Sequence, residues 1–298
     1  MISLEDKKPY IALFISIAAV STAAILIVSV SEDVPPLTIA FYRLLFTVIL
    51  LCPAVLFYKK TREELIHIPK KTLLLIFLIG IILAVHFAFW TTSLDYTSVA
   101  SSVILVTAHP VLVAPVAHYL LKEKLGFINV LGIILSLFGV VILVLGNYGL
   151  GALSLDSLEG NLLAIFGGVA AGLYILGGRK VRKTVSVVSY GFIVYSISTI
   201  ILFGLCIITK SRIKSIEIKD FELFILMALI SGIFGHTFYN WSLKHIRASV
   251  ASVTLLGEPI GSTILAFIIP WINQIPSNYT VIGGIIIFLG IYLTAKEK

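Results

Sequence analysis

Long apolar stretches alternate with short polar connections along the whole chain. Each stretch holds about 18 to 25 residues, which lets an α-helix cross a hydrocarbon layer roughly 30 Å thick. Because lipid supplies no hydrogen bonds, uninterrupted apolar runs favour helices over alternating strands. The pattern therefore predicts an all-α integral membrane protein with ten transmembrane helices, called spans 1 to 10 below. Their predicted limits are approximately 10–30, 37–57, 72–93, 98–121, 126–146, 158–178, 187–208, 221–243, 248–270 and 278–295.

Composition supports this class. The 298 residues are 59% hydrophobic and only 12% charged, whereas about a quarter of the residues in an average soluble domain are charged. The connections between the spans are short and polar, and none is long enough for a soluble domain. The whole chain is therefore predicted to belong to one membrane bundle.

The sequence contains an internal repeat. Residues 86–110 return without a gap as residues 235–259, an offset of 149. We therefore divide the chain into two five-span repeats, residues 1–150 and residues 151–298. An odd number of spans places the second repeat upside down relative to the first, and such inverted repeats are typical of secondary transporters that bind substrate near the membrane midplane.

The distribution of basic residues predicts the orientation. The net charge is +7, and with the N-terminus in the cytoplasm 17 Lys and Arg residues fall in cytoplasmic segments and four in external ones. This bias follows the positive-inside rule, so both termini are predicted to be cytoplasmic and the protein is predicted to lie in the cell membrane. The same placement argues against nucleic acid as a partner.

Three segments carry a resemblance to a known family. They are residues 36–46 with Arg43, residues 97–125, and their repeat partner 248–267. Together they resemble the EamA-type branch of the drug/metabolite transporter superfamily. Lys122 stands where this family commonly has the glycine of a Gly-Glu turn, and residues 270–276 lack the corresponding acid.

The resemblance implies both an architecture and an activity. Spans 1, 3, 4, 6, 8 and 9 would surround a central cavity, with spans 5 and 10 at the edge. Family members move small organic solutes outward, often amino acids and related metabolites. We therefore expect a secondary transporter that exports such amphipathic solutes by alternating access. A flippase for lipids or polyprenyl carriers, built on a related architecture, is the alternative.

Ionisable side chains at membrane depth are costly unless they are paired or hydrated, so they are candidates for function. Glu258 is the only acid well inside a predicted span, and its repeat counterpart is His109. Each precedes a proline, Pro259 or Pro110, which weakens the helix by removing a backbone donor. Arg43 in span 2 is a candidate for coupling or for a structural ion pair with Glu258. Paired helix breaks in two inverted repeats indicate a binding site.

Further candidates for substrate binding share helix faces at spacings of three or four residues. They combine hydrogen-bonding groups with aromatic surface, as small-molecule pockets do. They are His86 and Trp90 in span 3, Ser102 in span 4, Tyr174 in span 6, His236, Tyr239 and Asn240 in span 8, and Thr254 in span 9. Two alternatives remain open. Small residues such as Ser102 also permit close helix packing, and Trp90 and Tyr239 also fit an interfacial aromatic belt.

The sequence argues against enzymatic and ATP-driven mechanisms. It contains no HExxH, no Gly-x-Ser-x-Gly and no phosphate-binding Gly-x-x-x-x-Gly-Lys motif, so we expect no catalytic residues, metal site or cofactor. Arg43 is the one basic residue in mid-span, which favours neutral or zwitterionic substrates over phosphorylated ones. Proton exchange through Glu258 and nearby histidines and simple facilitated diffusion both remain open as driving forces.

Spans 5 and 10 each carry two glycines that lie one heptad apart. Gly132 and Gly139 are mirrored by Gly283 and Gly290. Glycines at such spacing let helix backbones approach closely in lipid. The pairs therefore predict tight contact within one chain or in a homodimer through spans 5 and 10. The other expected partners are a small-molecule substrate and membrane lipids.

Overall fold

The computed structural model describes residues 4–97, 99–148, 158–269 and 275–296, and all regular secondary structure in these ranges is helical. Ten helices within these ranges are long and apolar enough to cross a membrane, which confirms the predicted number. The predicted division between residues 150 and 151 lies outside the described residues. Six spans are continuous. They are span 2 (Pro36–Phe57), span 3 (Lys70–Tyr96), span 5 (Phe127–Tyr148), span 6 (Leu158–Val181), span 7 (Val187–Ile208) and span 10 (Asn278–Ala295).

The other four spans are interrupted. Span 1 consists of Leu4–Val20 and Ala23–Val28, and span 4 of Val99–Thr107 and Pro110–Leu120. Span 8 runs through Ile218–Met227, a π-helical segment Ala228–Thr237 and Phe238–Ser242. Span 9 runs through Ala248–Thr254, a 3₁₀ turn Leu255–Gly257 and Glu258–Ile268. A short helix without buried residues, Lys59–His67, connects spans 2 and 3.

Proline accounts for two of the breaks. Pro110 and Pro259 each occupy one of the first positions of the second helical segment, where the missing N–H costs nothing. The break in span 1 has a different cause. The hydroxyls of Ser21 and Thr22 donate to the carbonyls of Ile17 and Ala19, each over 2.7 Å, and such bonds compete with the helical pattern.

Spans 5 and 10 pack against each other within the chain through the predicted glycines. A Cβ atom on Gly132 would lie 2.6 Å from the carbonyl oxygen of Gly290, and one on Gly139 would lie 2.8 Å from that of Gly283. The amide of Asn129 reinforces this contact, since it donates to the carbonyls of Thr294 and Lys296 over 3.0 and 2.9 Å. The glycine faces are therefore covered inside one chain. A homodimer through spans 5 and 10 stays an untested prediction.

Large apolar side chains cover the outside of the bundle. Phe14, Ile134, Ile200 and Phe288 are all more than half exposed. Such side chains suit a hydrocarbon environment, because lipid tails are as apolar as they are. The buried core inside the bundle is also apolar, so the polar side chains that line its centre stand out as functional candidates.

The turn after span 4 holds a left-handed residue. Lys122 has a φ of 56°, the left-handed conformation common just after a helix end, and the N–H of Glu123 donates to the carbonyl of Ala117 over 3.1 Å. This is the position at which the resembling family commonly carries glycine. Glycine tolerates a positive φ without the steric contact that a Cβ atom brings. Lys122 therefore adopts this conformation at a steric cost.

We expect Lys122→Gly to raise the free energy of unfolding by about 1 kcal/mol. A left-handed residue with a Cβ is strained by roughly 1–2 kcal/mol, and glycine removes this strain. Part of the gain is offset because glycine gives the unfolded chain more conformational entropy. Thermal unfolding in detergent, followed by circular dichroism, measures the change. Lys124→Gly in the same connection is the matched control and should destabilise the protein slightly. A lower melting temperature for Lys122→Gly than for the parent would contradict the assignment of strain.

Candidate functional site

A cavity of about 740 Å³ lies inside the bundle. Side chains from spans 1, 3, 4, 6, 8 and 9 line it, as the family resemblance implies, together with Arg43 of span 2 and Leu143 and Val144 of span 5. The cavity extends to Ser29, just after span 1, and to Pro276, just before span 10. Both positions lie at the span ends remote from the termini, so the cavity opens on the membrane face opposite them. Its volume falls within the range of small-molecule pockets.

Two oppositely charged side chains line this cavity. Arg43 is 4% exposed, and its guanidinium carbon lies 5.3 Å from the centroid of the Phe87 ring. Glu258 is half-buried and begins the second helical segment of span 9. In the described part of the chain no salt bridge joins Arg43 to Glu258, and neither side chain takes part in a hydrogen bond within the protein. The predicted structural ion pair is therefore not formed in this state.

The three candidate histidines also line the cavity. Nδ1 of His86 lies 2.9 Å from the carbonyl oxygen of Gly167. Because a carbonyl only accepts, Nδ1 carries the proton, which leaves Nε2 for another partner. Nδ1 of His109 lies 2.8 Å from Oγ of Ser252 and so links spans 4 and 9. His236 packs edge-on against Phe87 at 5.9 Å between ring centroids.

Aromatic rings form one wall of the cavity. Trp90 stacks nearly parallel on His86, with centroids 6.0 Å apart and an angle of 8° between planes. Tyr174 and Tyr239 also line the cavity, although both are almost entirely buried. Because Trp90 and Tyr239 line the cavity, their positions fit a binding pocket better than an interfacial aromatic belt. The wall suits an apolar or aromatic part of a substrate.

Three predicted contact residues lie outside the cavity lining. Ser102 is fully buried, with its hydroxyl 2.7 Å from that of Ser93. Thr254 donates to the carbonyl of Val250 over 2.6 Å. Asn240 donates to the hydroxyl of Tyr174 over 2.6 Å and so positions that ring. The proline Pro110 is likewise buried outside the cavity and acts through the break in span 4.

Changes of helical register explain these differences. The turn at residues 108–109 and the 3₁₀ turn at residues 255–257 rotate the two halves of spans 4 and 9 relative to a continuous helix. Span 4 therefore presents Val103, Val106 and Thr107 to the cavity. Sequence reasoning missed these three, although their spacing of three and four residues marks one helix face. Among the described residues, no group of His, Cys, Asp and Glu side chains is arranged to hold a metal ion.

Comparison with known proteins decides the family. The model of the EamA-like transporter family matches the chain twice, over residues 7–145 and residues 158–296. The chain belongs to the EamA-like transporter family. It is a multi-pass membrane protein and a transporter, and the two matches agree with the inverted-repeat architecture.

Individual relatives are similar over most of the chain. The uncharacterized transporter YyaM of Bacillus subtilis (strain 168) is 27% identical over 213 residues, which cover 70% of this chain and 68% of the relative. An uncharacterized transporter of Archaeoglobus fulgidus is 24% identical over 273 residues, 90% of each chain. A protein of known crystal structure has the same fold, with a TM-score of 0.77 at 20% identity over 96% of this chain and 95% of its own.

Proposed function

We propose that this EamA-like transporter exports small zwitterionic organic solutes, such as amino acids and related amphipathic metabolites. The observation that carries the proposal is the pair of opposite charges, Arg43 and Glu258, that line one cavity without a salt bridge between them. A solute with a carboxylate and an ammonium group supplies a partner for each. The proposal concerns the substrate class and the direction of transport.

The energetics of buried charge support a zwitterion. An ionised side chain at membrane depth costs several kcal/mol unless water or an opposite charge compensates it. A guanidinium binds a carboxylate through two parallel hydrogen bonds, and a carboxylate accepts strong hydrogen bonds from an ammonium group. A zwitterion satisfies both protein groups and leaves the loaded cavity with no added net charge.

Size and shape support an amphipathic solute. A volume of about 740 Å³ is ample for one amino acid with a large side chain. The rings of His86 and Trp90 offer a flat surface beside the charged groups. A phospholipid headgroup would favour several basic side chains, whereas the described residues that line the cavity include one arginine and one glutamate. The flippase alternative therefore has less support.

The proposed direction rests on the charge bias of the connections. With both termini in the cytoplasm of a cell-membrane protein, the cavity described above opens to the outside. The inverted repeats and the paired breaks in spans 4 and 9 support alternating access, in which the same site then opens to the cytoplasm. A solute bound from the cytoplasm would be released in the state seen here.

Proteoliposomes containing the purified protein test the substrate class. We expect zwitterionic amino acids to cross at least about tenfold faster than their deaminated or decarboxylated analogues, which leave one protein charge without a partner. Sugar phosphates and empty liposomes are the controls. Equal rates for the zwitterions and both sets of analogues would overturn the proposal. The same vesicles with an imposed pH gradient separate proton exchange from facilitated diffusion.

A further inference from the structure

A buried ion pair lies between the cavity and the membrane face that carries the termini. Nε of Arg179, at the end of span 6, donates to Oε1 of Glu123 over 2.7 Å. Arg179 is 9% exposed and Glu123 is 7% exposed. The other salt bridges seen in the described ranges join exposed side chains. This pair is thus set apart by its burial, and it takes no part in lining the cavity.

Each member of the pair also binds the end of another helix. Oε2 of Glu123 accepts from the backbone N–H of Ala248, the first residue of span 9, over 2.7 Å. Nη1 of Arg179 donates to the carbonyls of Leu243 and Lys244, at the end of span 8, over 2.7 and 2.8 Å. An acid at a helix start and a base at a helix end are both favoured by the helix dipole. One ion pair therefore ties together spans 4, 6, 8 and 9.

The surrounding half of the bundle is closed. Val113, Ala117, Leu243, Ala248 and Ala251 are all fully buried there and belong to one apolar cluster. A solute in the cavity has no route past these side chains in the present state. Spans 4, 6, 8 and 9 have to separate at this level before the cavity can open toward the termini.

We propose that the ion pair between Glu123 and Arg179 acts as a gate for transport. It keeps the path from the cavity to the membrane face with the termini closed, and it breaks in the state in which that path is open. The inference rests on alternating access within the proposed function. A buried pair loses much by separating in a dry interior, but water that fills an open path solvates both ions. Removing one charge leaves its partner buried and uncompensated in the closed arrangement but hydrated in the open one, so it shifts the balance toward the open arrangement.

The labelling rate of a cysteine thiol measures the balance between the closed and open arrangements. Two single-cysteine reporters are made in a background lacking Cys52 and Cys206. Ala251→Cys reports on the closed half, and Ser262→Cys reports on the cavity. In nanodiscs, a water-soluble maleimide reaches both faces of the protein. We expect Glu123→Gln and Arg179→Gln each to raise the labelling rate of the reporter Ala251→Cys about tenfold, which corresponds to a loss of about 1.4 kcal/mol. Neither variant should raise the labelling rate of the reporter Ser262→Cys.

Matched variants separate a gating role from loss of structure. Glu63→Gln removes the acid of an exposed pair with Lys59 and should leave both rates unchanged. Arg179→Lys keeps the charge and should label between the parent and Arg179→Gln. The double variant Glu123→Gln/Arg179→Gln should label no faster than the faster single variant, because the two changes break one interaction. Size-exclusion elution shows that each variant is folded.

Two outcomes would overturn the proposal. One is a labelling rate at Ala251→Cys within about twofold of the parent for both single variants. The other is an equal rise at both reporters, which shows general loosening. Because labelling needs no transported solute, failure of the substrate proposal leaves this test intact, and failure of this test leaves the substrate class open.

Discussion

We expect the replacement of Glu258 by glutamine to lower the kcat/KM for transport of a zwitterionic amino acid about 100-fold, because a hydrogen bond to a charged group contributes roughly 1.5–3 kcal/mol. Gln has the same size and keeps a hydrogen-bonding group, so the variant removes the charge with little change in packing. The change should fall mainly on solutes with an ammonium group. Initial rates in proteoliposomes, measured for an amino acid and for its deaminated analogue, give the ratio that tests this assignment.

The control for this prediction is Glu222→Gln, which makes the same chemical change at an exposed position of span 8. It should leave the rates for both solutes unchanged. The role assigned to Glu258 would be wrong if Glu258→Gln moved the amino acid at the parental rate, or if it slowed both solutes equally. Equal slowing would indicate a role in the conformational cycle without direct contact to the ammonium group.

The second large effect is expected where spans 5 and 10 touch. Gly132→Ala should lower the free energy of unfolding by about 3 kcal/mol, because overpacking a close contact costs about this much when the atoms in the way belong to the backbone. The new Cβ would lie 2.6 Å from the carbonyl oxygen of Gly290 and 2.6 Å from the nitrogen of Thr294. Neither atom can move without displacing span 10. Unfolding in detergent mixtures, followed by circular dichroism, measures the loss.

Two other glycines provide controls for this prediction. A Cβ on Gly284, in span 10 itself, would make ordinary contact with Ile260 at 3.7 Å, and one on Gly204 in span 7 would meet nothing within 4 Å. Gly284→Ala and Gly204→Ala should therefore be neutral or slightly stabilising, as expected for alanine in a helix. If Gly132→Ala is as stable as these two variants, the close packing described here is not what holds spans 5 and 10 together.

Several of the predicted site residues lie in the cavity lining, because repeat symmetry and proline are local signals. Glu258 and His109 precede prolines at equivalent positions, and both lie in the cavity lining beside their helix breaks. His86 and Trp90 are four residues apart on one uninterrupted helix, so simple spacing sufficed to place them on one face. These predictions needed no knowledge of the neighbouring spans.

Other parts of the site could not be predicted, since they depend on where a helix changes register. The π-helical segment of span 8 places His236 and Tyr239 at the cavity but turns Asn240 toward Tyr174 and Tyr195. A π-helical segment changes the angular spacing of side chains, and no proline marks this one. Thr254 lies just before a 3₁₀ turn, whose tighter winding shifts the register of span 9 in the opposite sense.

The amino-acid sequence by itself determined the ten spans, the repeat, the family and the charged side chains at membrane depth, because apolar length and repeated residues are properties of the chain alone. Only the tertiary structure decided which faces meet the cavity, that the glycines of spans 5 and 10 pack within one chain, and that Glu123 pairs with Arg179. Glu123 and Arg179 are 56 residues apart. Contacts of this kind depend on how separate helices pack, and hydropathy and spacing describe one helix at a time.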